Sequence, residues 1–264
     1  MNMYIHELKV YRKSTIVWTL SLIAVVILFM SIFPTFAKDV AVFQKYVDSL
    51  PKTLIAALGI ASLDLSVLGF YSVIFTYIML CSSIQAMNIG LSIVSNEERG
   101  KTADFLLSKP ITRQQIITSK LLAALTSIVI TNIIFIAVAT IVLQSVKIES
   151  FNMNTFILIS LSLFLTQLIF VAMGVFISIV VKKIRSVLPI SLGIVFGFFI
   201  IGMLGSVIGD DVAKYITPFK YFDPAKIIKN SAYEIQFVII TIVFVIIATV
   251  GSYVLYSKKD MANV

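Results

Sequence analysis

The chain has 264 residues, of which 59% are hydrophobic and only 13% are charged, whereas soluble domains average roughly 45–50% and ~25%. This composition excludes an ordinary soluble protein and indicates a chain that crosses a membrane several times. The net charge of +8 does not by itself indicate a nucleic-acid partner, because membrane proteins also carry an excess of Lys and Arg in their cytoplasmic loops.

The first thirteen residues precede the first long apolar run. Tyr4, Ile5 and Leu8 recur at the three-to-four spacing of a helix, and basic residues alternate with them. We therefore predict that residues 1–13 form an amphipathic helix in the membrane plane, with its basic side chains toward lipid phosphates. A cleaved signal peptide does not explain the apolar excess, because long apolar runs recur along the whole chain.

Six charge-free apolar runs follow, and each is long enough to cross a hydrocarbon core of about 30 Å. They predict an all-α, polytopic membrane protein with one transmembrane domain over residues 1–264. The predicted spans are 14–37, 67–94, 121–146, 155–181, 187–209 and 235–257. An even number of spans places both termini on the same side of the membrane.

The distribution of charge indicates which side that is. Thirteen of the 21 Lys and Arg residues lie in the termini and in the loops after the second and fourth spans, whereas the other loops hold eight basic and eight acidic residues. Loops rich in Lys and Arg remain in the cytoplasm. We therefore predict that both termini are cytoplasmic, and the basic excess indicates orientation and lipid contact rather than nucleic-acid binding.

The loop over residues 95–120 contains Gly100-Lys101-Thr102, with which the phosphate-binding loops of ATPases end. Such a loop also needs a glycine five positions earlier and a preceding buried strand. Ser95 stands at that glycine position, and no βαβ pattern is present to hold a nucleotide. ATP binding by this chain itself is not expected.

The same loop predicts two helix boundaries around a short amphipathic helix. Thr102 can cap the start of that helix and Pro110 ends it, while Thr112 and Gln115 fit a capping box that opens the helix into the third span. The charge-free run at 65–96 also exceeds the hydrocarbon core. The two helices are thus expected to hold the loop in the cytoplasm for docking on a partner, with a plain connecting hairpin as the alternative.

Enzyme chemistry finds no support in the spans. The sequence has one histidine, one cysteine and no catalytic or metal-binding motif, so we expect neither a catalytic nor a metal site. Amides are the polar groups of the spans, and we consider Gln85, Asn88, Asn132 and Gln167 as candidates for a substrate path. A buried amide more often joins two helices by a hydrogen bond.

The last external loop, 210–234, is predicted to be a re-entrant or interfacial segment. It contains ITPFKYFDPAKII at 216–228, and its aromatic residues Phe219, Tyr221 and Phe222 are typical of the headgroup boundary. An interfacial anchor and an external gate are both compatible with this pattern.

The run NEERGKTADFLLSKPITRQQIITSK at 96–120 resembles the first cytoplasmic loop of ABC-2 type permeases, the membrane subunits of ATP-driven exporters. An acidic pair, Gly-x-Thr, Leu-Leu-Ser, Pro-Ile-Thr/Ser-Arg and a closing Lys recur there. The matching positions are Glu97, Glu98, Gly100, Thr102, Leu106, Leu107, Ser108, Pro110, Arg113 and Lys120.

In that family this region forms a coupling helix in a groove of the ATPase subunit. The resemblance implies that the ATPase contact of this chain comprises Glu97, Glu98, Arg99, Gly100, Thr102, Asp104, Phe105, Leu106, Leu107, Pro110 and Arg113. It also implies that residues 1–13 are the elbow helix of an ABC-2 (type V) exporter fold and that 216–228 is the segment before the last helix. In length and loop size the chain is similar to bacterial exporters of phenol-soluble modulins and antimicrobial peptides.

The resulting expectation is a non-catalytic permease subunit of an ABC exporter in the cell membrane. Its expected partners are two copies of a cytoplasmic ABC ATPase, a second permease in a homodimer, and membrane lipid. ATP and Mg²⁺ are expected in the ATPase and no cofactor in this chain, with a hydrophobic or amphipathic cargo such as a peptide or drug. The alternative is an ion-coupled secondary transporter or a scaffold without an ATPase, although such transporters usually carry ionisable residues near the bilayer midplane.

Overall fold

The computed structural model describes residues 3–38, 47, 49–51, 53–55, 66–100, 112–181, 184–209 and 212–258, without the side chains of 96–100 and 258. Six long helices within these ranges are apolar enough to cross a membrane. They are α1 (Met3–Lys38), α2 (Val67–Gly100), α3 (Arg113–Val146), α4 (Met153–Val180), α5 (Val187–Ile208) and, after two short helices, α8 (Ile235–Lys258). The expected all-α architecture with six spans is confirmed.

Helix α1 differs from the expected arrangement of an elbow helix at 1–13 followed by a separate span at 14–37. It is one α-helix of 36 residues, Met3–Lys38, because no glycine or proline interrupts it before Pro34. Its length of about 54 Å exceeds the hydrocarbon core by several turns. The amphipathic segment is therefore the first part of the spanning helix.

Helices α2 and α3 carry the loop that connects them on long extensions. Ser66 caps α2, since its hydroxyl accepts a hydrogen bond from the Gly69 amide at 3.1 Å, and the helix then continues to Gly100. The expected capping box at the start of α3 is present, with Thr112 and Gln115 each accepting from the backbone amide of the other. Beyond this box α3 continues without a break into the third span.

The core of the bundle is the pair of α2 and α4, which run side by side and are more deeply buried than the other spans. Gly90 and Gly174 let their backbones touch. A Cβ atom on Gly90 would lie 2.5 Å from the carbonyl oxygen of Val171, closer than any real contact. Small residues at helix contacts are the usual means of close packing in membranes, where lipid is as apolar as the side chains.

The remaining spans surround this pair. Helix α1 packs mainly on α3, α5 packs on α2, and α8 packs on α4 and α3. We call the end of the bundle that holds the start of α1, the end of α2, the start of α3 and the end of α8 the terminal end. The opposite end carries the short helices α6 (Ala213–Ile216) and α7 (Pro224–Asn230) and the 3-10 turn Pro218–Lys220 between them.

Candidate functional site

A buried ion pair joins α1 to α3 at the terminal end. The Nζ atom of Lys120 lies 3.1 Å from Oε1 of Glu7, and the two side chains are only 4% and 9% exposed. Close by, the hydroxyl groups of Tyr4 and Thr126 are 2.9 Å apart. The first turns of α3 are thereby attached to the first turns of α1.

Polar contacts attach the same part of α3 to the end of α8. The guanidinium of Arg113 donates to the carbonyl oxygen of Ser257 at 3.3 Å. The hydroxyl groups of Thr118 and Tyr253 are 2.7 Å apart. The first turns of α3, which follow residues 101–111, are therefore held between α1 and α8.

Most residues of the predicted ATPase contact lie outside the described residues. These are Thr102, Asp104, Phe105, Leu106, Leu107 and Pro110. The last turn of α2 contains Glu97, Glu98, Arg99 and Gly100, and the structure describes the backbone of these four residues but not their side chains. Arg113 is the first residue of α3. The described part of this predicted contact is the end of α2 and the first residue of α3.

Residues 95–100 form the end of α2, where the sequence placed the first glycine position of a phosphate-binding loop. Ser95 is fully buried, and its hydroxyl donates to the carbonyl oxygen of Leu91 at 2.7 Å, one turn earlier in α2. The α-helix continues through Gly100. A phosphate-binding loop needs free backbone amides after a strand, whereas the backbone amides within an α-helix donate to the carbonyl oxygens four residues earlier.

The amides proposed for a substrate path form part of a polar layer between four helices. Thr131 of α3 is at its centre, with its Oγ1 3.0 Å from Thr19 of α1 and accepting from Nε2 of Gln85 of α2 at 3.0 Å. All three are buried. These contacts connect α1, α3 and α2.

The neighbouring position on α3 completes the layer toward α4. Asn132 donates to Oε1 of Gln167 at 2.6 Å, and Gln167 donates to the carbonyl oxygen of Ser82 at 3.2 Å. Asn88 accepts from Ser191 of α5 at 2.8 Å. In this arrangement the four amides join helices, while the buried atoms Oε1 of Gln85 and Oδ1 of Asn132 accept no hydrogen bond from the described residues.

At the opposite end, one aromatic side chain of the segment at 212–234 inserts between two spans. The ring of Phe219 lies 5.3 Å from that of Phe170 of α4 and 5.4 Å from that of Phe199 of α5. The hydroxyl of Thr217 donates to the carbonyl oxygen of Phe198 at 2.8 Å. Phe219 is therefore buried between two spans.

The rest of this segment is fixed to α8 and α4. Tyr221 stacks on Phe237 with ring centroids 5.1 Å apart, and the Tyr233 hydroxyl donates to the carbonyl oxygen of Leu158 at 2.6 Å. Burial raises the pKa of both tyrosine hydroxyls, so both stay neutral at physiological pH. The segment is anchored at its start and at its end.

A cavity of about 230 Å³ opens between this segment and α5. Lys214, Lys220 and Lys226 line it. Lys220 lies 3.8 Å from Asp223, and Lys226 lies 2.7 Å from Glu234. Among the described residues no group of three or more His, Cys, Asp or Glu side chains could hold a metal ion. Acidic side chains therefore pair with lysines at the edge of the cleft.

Sequence reasoning did not identify Glu7, Thr118 or Tyr253 as parts of the terminal-end arrangement. One signal for the ion pair was present in the sequence. Glu7 is the only acid before residue 39, and Lys120 is the last charge before the third span. Isolated opposite charges at the edges of two spans are candidates for pairing, because an unpaired charge there is costly.

A family model described as "ABC-2 family transporter protein" matches residues 1–261. No curated protein matches the chain.

Proposed function

Because the chain belongs to the ABC-2 transporter family, as the match over residues 1–261 shows, we propose that it is the permease of an exporter that works as a homodimer with two ATPase subunits. The family establishes a multi-pass membrane subunit that associates with an ABC ATPase. In our proposal the ATPase subunits hold ATP and Mg²⁺ and this chain hydrolyses nothing. The cargo is hydrophobic or amphipathic, such as a peptide or drug.

The observation that carries the proposal is the length of α2 and α3. Each has 34 residues, or about 51 Å, against a hydrocarbon core of about 30 Å. Both extend at the terminal end, where they meet the 101–111 loop. A loop raised on two helices is suited to receive a force outside the membrane and pass it along the helices into the bundle.

The charge distribution supports a cytoplasmic position for that loop. The terminal end takes the whole excess of Lys and Arg residues, which favours the cytoplasmic side. The ATPase subunits would then dock on the last turn of α2, the loop and Arg113. ATP-driven closure of the ATPases would displace the loop and, through α3, the attached α1 and α8.

The surface of the bundle supports an apolar cargo. Helices α1, α5 and α8 present large apolar side chains outward, among them Phe29, Phe196 and Phe244. A passage walled by such side chains in the paired permease would offer burial and few fixed charges. In our proposal the segment at 212–234, which packs between α4 and α5 through Phe219, acts as a gate at the outer end of that passage.

A secondary transporter remains the competing function, and the described residues give it little support. The charged side chains buried among them are Glu7 and Lys120, which pair with each other at the terminal end. Ion-coupled transporters instead place ionisable groups near the midplane. The polar layer around Thr131 is neutral.

The proposal is tested by reconstituting the chain with its genetic-neighbour ATPase in vesicles and measuring uptake of fluorescent amphipathic peptides into inside-out vesicles. We expect uptake to require ATP and to disappear when the phosphate-loop lysine of the ATPase is replaced. The isolated chain should bind no nucleotide, and Lys101→Ala should leave the nucleotide affinity of the complex unchanged. Uptake by the isolated chain driven by a pH gradient would instead establish the secondary transporter.

A further inference from the structure

The ion pair between Glu7 and Lys120 is one of the contacts that attach α1 to α3, and the proposed function gives it no role of its own. It joins the beginning of α1 to the third turn of α3. Its atoms are 3.1 Å apart and both side chains are nearly excluded from the surface. The pair is therefore built into the interior of the terminal end.

A buried ion pair is a poor device for stability alone. Desolvation of the two charges offsets most of their attraction, and apolar residues of similar size often stabilise a protein equally well. Removal of one partner is costly, however, because it leaves a buried charge without compensation. Such a pair is best suited to fixing the relative position of two helices.

The neighbouring contacts show what this position controls. Tyr4 contacts Thr126 on the same two helices, while Thr118, two residues before Lys120, contacts Tyr253 of α8. The first turns of α3 are thus held on both sides. Of these contacts the ion pair is the one that cannot be broken without exposing a charge to an apolar interior.

We propose that Glu7 and Lys120 are positioning residues for coupling, which make the start of α1 move together with α3 when the 101–111 loop is displaced. The inference rests on the proposed function. In it, α1 is a second element that receives the displacement, so that the motion of the loop is distributed to two spans. Without the pair, the start of α1 follows α3 less closely, and less of the displacement reaches α1.

The decisive variants replace the pair in two ways. Glu7→Leu with Lys120→Met removes both charges while keeping apolar side chains of similar size, so that folding and assembly are retained. Glu7→Lys with Lys120→Glu exchanges the charges and restores an ion pair. Lys9→Gln removes an exposed charge from the same helix and is the control.

In the reconstituted complex we expect the apolar variant, Glu7→Leu with Lys120→Met, to assemble and to hydrolyse ATP at the parent rate. Its transport should fall about fivefold or more, because the two residues are coupled in one ion pair. The exchanged variant should recover at least about half of the parent transport, and Lys9→Gln should match the parent. Parent-level transport by the apolar variant, or failure of the exchange to restore transport, would overturn the inference.

A second measurement on the isolated chain separates this inference from the proposed function. Cysteines replace Tyr4 and Thr126 in a Cys81→Ala background, which removes the native cysteine, and a bifunctional thiol reagent links them. We expect the yield of the link to fall in the apolar variant and to recover in the exchanged variant. An unchanged yield would overturn the positioning role even if the parent complex transports. A changed yield in a chain without ATP-driven transport would overturn the proposed function alone.

Discussion

At the scale of single residues, the polar side chains of the spans are used to join helices. Gln167 contacts both Asn132 of α3 and the backbone of α2 at Ser82. Hydrogen bonds of this kind in membrane proteins contribute about 0.6 kcal/mol on average and up to about 2 kcal/mol. Their contribution is modest, but each one also fixes which faces of two helices meet.

This role predicts the effect of Gln167→Leu. The substitution removes both contacts, so we expect the free energy of unfolding to fall by about 1 kcal/mol, measured by thermal denaturation in detergent. Because the amide is fully buried, the choice of cargo should not change. Gln144→Leu, which removes an exposed amide of α3, is the control and should leave stability unchanged. Altered cargo preference at parent stability would instead place Gln167 in the substrate path.

At the scale of helix pairs, α2 and α4 depend on the contact of two glycines. The backbone of α4 occupies the space that a side chain at position 90 would need. A backbone atom cannot rotate away as a side chain does, so the helices must separate to admit even one methyl group.

Gly90→Ala should therefore destabilise the chain strongly, by about 2–3 kcal/mol or more, with loss of folded protein in detergent as the measurement. Gly193→Ala in α5 is the matched control, since a Cβ atom there meets nothing within 4 Å. Alanine is also the better helix former by about 1 kcal/mol, so this control should be neutral or stabilising. Equal behaviour of the two variants would contradict the close packing of α2 and α4.

The extension of α3 is the second element with a testable role. Ser119 lies within the continuous stretch from the capping box at Thr112 to the third span and is half-buried. Ser119→Pro removes a backbone donor and clashes with the preceding turn, which kinks a helix at a cost of about 3 kcal/mol or more. We expect ATPase recruitment to persist while transport falls far more than ATP hydrolysis does.

The control for this kink is Ser119→Ala, which keeps the helix and should transport like the parent. The comparison is made on purified complexes in vesicles, with hydrolysis and uptake measured on the same sample. Parent-level transport by the proline variant would show that displacement does not pass through α3.

At the scale of the whole molecule, the bundle has two ends of different character. The terminal end holds the excess of basic residues and the long ends of α2 and α3, whereas the opposite end has balanced charges and the segment at 212–234. Electrostatic docking of a cytoplasmic partner is therefore expected at one end only.

Reversal of charge at the two ends should have unequal effects. Glu97→Lys together with Glu98→Lys should weaken ATPase association by about tenfold or more, because like charges at a complementary contact can cost several kcal/mol. Glu149→Lys reverses an exposed acid at the opposite end and should leave association unchanged. The measurement is co-purification of the ATPase with each variant at increasing salt. Equal association of all variants would show that residues 95–120 only connect two spans.

The sequence by itself determined the six spans and the capping box at Thr112, and the resemblance at 96–120 identified the family. These features depend on local properties: a run of apolar residues must lie in lipid wherever its neighbours are, and a cap needs only residues three positions apart. The orientation and the docking residues remain predictions.

Only the tertiary structure decided which polar residues meet. Glu7 and Lys120 are more than a hundred positions apart in the sequence, as are Thr19 and Thr131, and no local pattern encodes that α1 lies on α3. The burial of Phe219 between α4 and α5 is likewise a property of the packed bundle. In lipid an apolar side chain has no strong preference for another helix, so close fit and a few polar contacts select the neighbours, and both exist only once the helices are packed.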